Sequence, residues 1–300
     1  MKSENSLKTL LRYPGGESRA INKMAQFLPD MSQYKSYREP FLGGGSMALY
    51  MTRTYPHLEV WVNDLYAPLV TFWQTLRDEG EELAEHLADL KTRYPSPDKA
   101  RVLFEEAKEH LAQSTTMKTT PFEKAVSFYI LNKCSFSGLT ESSSFSKQAS
   151  DSNFSMRGIE KLPEYSKLIK NWHITNYSYE KLFSESVSTF LYLDPPYDIR
   201  DNLYGRKGDM HKRFDHDAFA ADCSRSSGAQ LVSYNSSQLV KDRFKGWKTG
   251  EFIHTYTMRS VGEYMKDQEE RRELLLFNYE AAHKNLASVG EGTRGEAGVK

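Results

Sequence analysis

Residues 36–64 read SYREPFLGGGSMALYMTRTYPHLEVWVND, and the order of their parts decides the fold class. Ser36–Phe41 and Glu59–Asn63 are short, apolar, strand-like pieces. Between them, Gly43, Gly44 and Gly45 allow a sharp turn, and Ser46–Thr54 has the length and composition of a short helix. Strand, glycine turn, helix, strand is the order of a parallel βαβ unit.

Outward from this unit the pattern changes. From Pro68 to Asn132 the apolar period lengthens to near 3.6, with Leu83, Leu87 and Leu90 on one face and Phe122, Ala125, Val126, Tyr129 and Ile130 on another. Thr120 and Glu123 form a capping box with Pro121 at the first helical position. Three successive helices without strands suggest a helical subdomain inserted into the sheet. Ser135–Asp151 is a serine-rich break that reads as a surface loop or hairpin. Apolar strands resume at Trp172–Thr175, Thr189–Leu193, Gln230–Tyr234 and Glu273–Phe277, which suits the buried strands of an α/β sheet. Beyond about Ala282 the chain is rich in Gly, Ser, Ala and charge and reads as a disordered tail.

Composition bounds the function class. The 300 residues are 39% apolar and 27% charged, ordinary for a soluble globular enzyme. Forty basic and 40 acidic side chains cancel, which excludes a strongly cationic nucleic-acid coat but not a local basic groove. The polar start Met1-Lys2-Ser3-Glu4-Asn5 is no signal peptide and no apolar run reaches membrane-span length, so the expected location is cytoplasmic, with no membrane partner. Cys134 and Cys223 are too few for a disulfide framework and too isolated for a zinc site.

Two stretches carry chemistry. The Gly43–Gly45 loop before a helix offers free N–H groups, and Asp64 follows at the roughly twenty-residue offset of a carboxylate that grips ribose hydroxyls. A glycine turn with an acidic loop residue is the plainer alternative, but the strand context favours a nucleoside-bearing ligand. The second stretch is Asp194-Pro195-Pro196-Tyr197, directly after an apolar strand. The prolines hold the Pro195 carbonyl rigid and free to accept, Asp194 adds a second acceptor, and Tyr197 offers a flat face. Two acceptors beside an aromatic ring suit a planar substrate with an exocyclic amino group. A simple proline turn would explain the prolines but not the flanking acid and aromatic.

With these pieces in order, the sequence resembles the DNA adenine-N6 methyltransferases of the Dam type. The resemblance runs from about Leu10 to Tyr279. It rests on Arg12-Tyr13-Pro14-Gly15-Gly16, Glu39 to Ser46, Asn63-Asp64, Leu131-Asn132-Lys133 with Ser137-Gly138-Leu139, and Asp194 to Tyr197, followed by Val232-Ser233-Tyr234-Asn235 and Arg272 to Tyr279. It implies a Rossmann-like methyltransferase sheet (α/β) with an inserted, mainly helical DNA-recognition subdomain. Residues 1–75 and 170–281 would form a discontinuous S-adenosylmethionine-binding catalytic domain, and 76–169 the target-recognition subdomain with a hairpin at about 135–153. Residues 282–300 would be the tail. S-adenosylmethionine is the implied cofactor, with S-adenosylhomocysteine as product and no metal. Tyr13, Glu17, Phe41, Gly43, Gly44, Gly45, Asp64 and Asp194 are the implied cofactor-site residues. Asp194, Pro195, Pro196 and Tyr197 are the catalytic set, with Tyr197 stacking on an extruded adenine. Asn132, Lys133, Ser137, Gly138, Leu139 and Glu141 match the recognition region. The basic group Arg206, Lys207, Lys212 and Arg213 is the candidate phosphate-contacting strip of a double-stranded DNA substrate. His211 and His216 read as DNA-contacting or solvated rather than as metal ligands.

Two positions depart from the family pattern. Glu17 stands where relatives usually carry lysine, which reverses the charge near the cofactor. Glu141 stands where GATC-reading relatives tend to carry arginine; arginine forks onto guanine and glutamate does not, so the expected target is an adenine site other than GATC. Acid at position 194 argues against cytosine-N4 and protein-amide methyl transfer, whose enzymes usually begin this tetrapeptide with serine or asparagine. The alternative reading is a catalytically weak or inactive DNA-binding relative of the same fold. A cognate restriction enzyme fits as a partner, and a monomer or weak dimer as the assembly.

Overall fold

The computed structural model describes residues 10–12, 18–113, 119–136, 144–197, 214–253 and 272–282. Its centre is a seven-stranded sheet in the order β3-β2-β1-β4-β5-β7-β6. The strands are β1 (Ser36–Glu39), β2 (Glu59–Asn63), β3 (His173–Thr175), β4 (Thr189–Leu193), β5 (Ala229–Asn235), β6 (Lys248–Ile253) and β7 (Arg272–Phe277). The first five are parallel, while β7 runs antiparallel between β5 and β6. This is the Rossmann-like sheet the sequence implied. Chain order reverses at the β1–β4 pair, the switch point where α/β sheets place ligands beyond the carboxyl ends of the strands.

Alternation along the strands builds two cores. Phe190 and Tyr192 of β4 face one apolar cluster, and Leu191 and Leu193 face the other. The first cluster also holds Leu83, Phe104 and Phe128 from the helices between β2 and β3. Those helices are α3 (Ala67–Arg93), α4 (Pro97–Gln113), α5 (Pro121–Cys134), α6 (Lys147–Ser152), α7 (Met156–Ile159) and α8 (Leu162–Leu168), after α1 (Ser18–Met24) and α2 (Ser46–Thr54). The described residues of 76–169 are therefore mainly helical, yet their core is continuous with that of the sheet. Every residue of α5 from Ala125 to Cys134 is buried, as a helix packed on all sides requires. The Thr120–Glu123 capping box is formed, with Thr120 N–H to Glu123 Oε2 at 2.8 Å and Glu123 N–H to Thr120 Oγ1 at 3.2 Å. The second cluster is roofed by helix His216–Arg225, and helix Gln238–Arg243 adds Val240 to it.

Three boundaries differ from the sequence reading. β1 stops at Glu39 because Pro40 has no N–H to continue the ladder. Of the hairpin expected at about 135–153, the described residues show the root, where Ser135 bridges Phe145 and Ser146 N–H donates to the Cys134 carbonyl at 2.8 Å; residues 137–143 lie outside them. Residues 147–152 are helical instead, because the Ser146 hydroxyl caps Ala149 N–H. β6 went unread because KTGEFI lacks a clean apolar alternation. Its Gly250 lies under the Phe27 ring, which a Cβ would meet at 2.2 Å. The tail 283–300 lies outside the described residues.

Asn63 fastens three strand ends together. Its Nδ2 donates to the carbonyls of Pro40 (3.1 Å) and Tyr177 (3.0 Å). Its Oδ1 accepts from Thr175 Oγ1 (2.9 Å) and Tyr177 N–H (2.7 Å). Asn63→Ala should lower unfolding free energy by about 2–4 kcal/mol, since four bonds of roughly 1 kcal/mol are lost and their partners stay buried. Urea denaturation would show it as a lower midpoint at constant slope. A midpoint equal to wild type would contradict the role.

Candidate active site

The glycine loop is held from β2. Asp64 Oδ2 accepts Gly43 N–H and Oδ1 accepts Tyr66 N–H, both at 2.9 Å. Gly45 N–H closes the turn on the Leu42 carbonyl at 2.8 Å and precedes α2 with φ +69°. A Cβ at Gly45 would lie 2.8 Å from the fully buried Trp73, whose Nε1 donates to the Gly43 carbonyl at 3.2 Å. The third glycine is thus dictated by left-handed backbone and by Trp73 together. Burial raises the Asp64 carboxyl above its ordinary range, while the N–H groups of Tyr66, Gly43 and Leu65 pull it back. Phe41 stacks on Tyr179 with ring centroids 5.5 Å apart and belongs to the margin of the second core.

Asp194 follows β4 at the switch point, with Pro195 buried and Pro196 and Tyr197 partly so. Burial pushes the Asp194 carboxyl up to about 8, and the neighbouring charge of Glu273 adds to the rise; a hydrogen bond with Tyr197 opposes it. Glu39, at the end of β1, is also raised well above the carboxylate range by burial. Hydrogen bonds from the Tyr37 hydroxyl and Ala48 N–H work against that rise, and Asp194 and Asp64 reinforce it. The four acids therefore share one electrostatic site at the carboxyl ends of β1, β2 and β4 and beside β7.

The structure brings Phe41, Gly43, Gly44, Gly45, Asp64 and the Asp194–Tyr197 segment to this end of the sheet. Tyr13, Glu17, Ser137, Gly138, Leu139, Glu141, Arg206, Lys207, His211, Lys212 and Arg213 lie outside the described residues. His216 is described: its Nδ1 is 2.7 Å from the Tyr234 hydroxyl. Asn132 and Lys133 are described too, and both are buried. Asn132 exchanges two hydrogen bonds with the Arg12 backbone, at 2.9 and 2.7 Å, and Lys133 Nζ donates to the Leu10 carbonyl. Burial, with Arg12 close by, brings the Lys133 ammonium down to about 8. In this arrangement both side chains anchor residues 10–12 rather than face a duplex. Sequence reasoning missed Glu273, which reads as strand, and Leu65, an exposed apolar side chain next to Asp64 in the chain. An apolar residue directly after the acid at a strand end was the available signal for Leu65. Among the described residues no three His, Cys, Asp or Glu side chains group as metal ligands would, and no helix is long and apolar enough to cross a membrane.

A sequence profile of the D12 class N6 adenine-specific DNA methyltransferases matches residues 13–260. The chain belongs to that family. It is an enzyme, a DNA adenine-N6 methyltransferase. It is 25% identical over 302 residues to the type II methyltransferase M.MjaIII of Methanocaldococcus jannaschii, across 91% of this chain and 99% of that protein. It is 18% identical over 287 residues to the type II methyltransferase M.CviBI of Paramecium bursaria Chlorella virus NC1A, across 91% of this chain and all of that one. Among solved structures, an rRNA methyltransferase of Streptomyces viridochromogenes aligns over 86% of this chain and 82% of its own, at 13% identity and TM-score 0.32.

The raised Asp194 carboxyl makes the methyltransferase's stability depend on pH. Between the unfolded value near 3.9 and the folded value of about 8, the folded state holds a proton that the unfolded state has lost. Stability from this group is thus full below about pH 4 and declines as pH rises through 8. Asp194→Asn removes that decline, so it should melt a few degrees above wild type at pH 9, with the gap narrowing toward pH 4. Parallel melting curves at all pH values would contradict the assignment.

Proposed function

We propose that this enzyme transfers a methyl group from S-adenosylmethionine to N6 of an adenine flipped out of double-stranded DNA, at a site other than GATC. The observation that carries the reading is the placement of Asp194 and the Pro195 carbonyl at the switch point, one strand away from the glycine loop.

The residues present fit the cofactor. Asp64 offers a carboxylate for hydroxyls, exposed Leu65 next to it offers an apolar face, and the acids Glu39 and Asp194 suit a sulfonium cation. When bound, S-adenosylmethionine supplies a methyl group on positively charged sulfur. The remaining work falls to the chain. An adenine amino nitrogen is a weak nucleophile because its lone pair is delocalised into the ring. Asp194 accepts one of its hydrogens and the Pro195 carbonyl the other, which favours a pyramidal nitrogen with its lone pair free. The same two acceptors stabilise the positive charge that nitrogen acquires only in the transition state. Tyr197 provides the stacking face that offsets part of the few kcal/mol lost when the base leaves the duplex. Orientation of nitrogen against methyl adds several kcal/mol, with roughly 7–11 as the ideal ceiling.

Recognition is assigned to residues 137–143, where Glu141 replaces a guanine-reading arginine, and phosphate contact to Arg206, Lys207, Lys212 and Arg213. Asn132 and Lys133 anchor residues 10–12, and the Arg12 guanidinium in turn donates to the Ser135 and Phe136 carbonyls, just before the recognition segment. Residues 76–169 would then act as the target-recognition unit on the catalytic sheet. A cognate restriction enzyme is the partner this reading favours.

Incubation with tritiated S-adenosylmethionine and unmethylated plasmid, followed by base-resolved mapping, tests the reading. Label should appear at N6 of adenines outside GATC. Asp194→Ala should lose about 10²–10³-fold or more in rate while remaining folded, and Glu141→Arg should change the mapped sites more than the rate. Cofactor binding without adenine label, or a GATC-only map, would overturn the corresponding part.

A further inference from the structure

The contact between Tyr197 and Glu273 has no part in the chemistry above. The Tyr197 hydroxyl donates to Glu273 Oε2 at 2.9 Å, reaching from the end of β4 past β5 to β7. Glu273 is 6% exposed, and the next residues along its strand, Leu274, Leu275 and Leu276, are wholly buried. A carboxyl in that position is held by its partners or not tolerated.

The same hydroxyl is also hydrogen-bonded to Asp194. A phenol has one proton to donate, and here it goes to Glu273. Its bond to Asp194 is the competing use of the same proton: donated to Asp194 it favours the ionised carboxylate, and donated to Glu273 it withdraws that support. Asp194, Tyr197 and Glu273 make a chain with the phenol between two carboxyls, in which the charge on Glu273 favours a neutral, protonated Asp194. To accept the amino hydrogen of a target base, Asp194 must first release that proton to water.

We propose that Glu273 is a positioning residue for methyl transfer: through the Tyr197 hydroxyl it fixes the ring beside Asp194 and sets whether Asp194 is charged when the base arrives. This rests on the reading of Asp194 given above. Other groups face the chain but do not replace Glu273. Glu39 on β1 is occupied by Tyr37 and Ala48. Tyr192 on β4 is kept neutral by burial and by Asp194, Glu39 and Glu273. Tyr234 on β5, its ring 6.3 Å from Tyr197, is bonded to His216. Asn235, opposite Glu273 in the ladder, is uncharged, and its buried Oδ1 has no hydrogen-bond partner among the described residues.

The test is the pH profile of kcat/KM for DNA methylation, which reports the ionisation of the free enzyme. Glu273→Gln retains an acceptor for Tyr197 but removes the charge. Its acid limb should move about one unit lower, a tenfold change in proton affinity, with less than tenfold loss of plateau kcat. Glu273→Ala loses the acceptor too, and its plateau kcat should fall more than tenfold. An acid limb unchanged in Glu273→Gln, with equal loss at every pH, would leave only a structural role and overturn the proposal. A substrate-free readout separates this from failure of the methylation reading. The pH at which the thermal-stability gain of Asp194→Asn over its Asp194 parent levels off should fall by about one unit in the Glu273→Gln background, while its onset near pH 4 stays in place. If wild type transfers no methyl group to DNA, the functional reading fails and Glu273 has no methyl transfer to position. If methylation is intact and that levelling-off pH does not fall, the Glu273 proposal fails alone.

Discussion

Four hydrogen bonds from the Asn63 side chain hold the carboxyl ends of β1, β2 and β3 in one register, and everything at the active end depends on them. The next residue, Asp64, extends the same device into the glycine loop by taking the N–H of Gly43. Two adjacent side chains thereby convert a mobile kind of sequence, three glycines in a row, into a fixed turn backed by Trp73. Backbone amides in such a turn are useful only if they cannot wander, because orientation contributes to catalysis only when it is set in advance.

The site built on this frame is acidic and largely out of water. Glu39, Asp64, Asp194 and Glu273 cannot all ionise cheaply in one desolvated region, so Glu39, Asp64 and Asp194 hold their protons above the usual carboxylate range. Such a site is poised for positive charge. A sulfonium and an amino nitrogen that becomes cationic during transfer both lower the energy of the ionised acids.

Much of this was legible in the chain. The βαβ unit at 36–64, the capping box at Thr120–Glu123, the central strands and the Asp194–Tyr197 turn all carry local signals, fixed by glycine, proline and period. What sequence did not reveal depends on contacts between distant residues. Glu273 looks like an ordinary strand position until β7 is inserted between β5 and β6. Asn132 and Lys133 carry polar groups that suggest a surface, but their partners are the backbone of Arg12 and Leu10, more than a hundred positions away. β6 has weak alternation because an edge strand with a glycine under Phe27 needs little pattern of its own.

The central claim is that Asp194 and the Pro195 carbonyl receive the two amino hydrogens of an extruded adenine. A crystal structure with S-adenosylhomocysteine and a duplex containing the mapped site measures this directly. The account predicts an unstacked adenine with N6 within about 3.2 Å of both acceptors and its ring against Tyr197. An adenine left in the helix, or one whose amino group points away from Asp194, would contradict it.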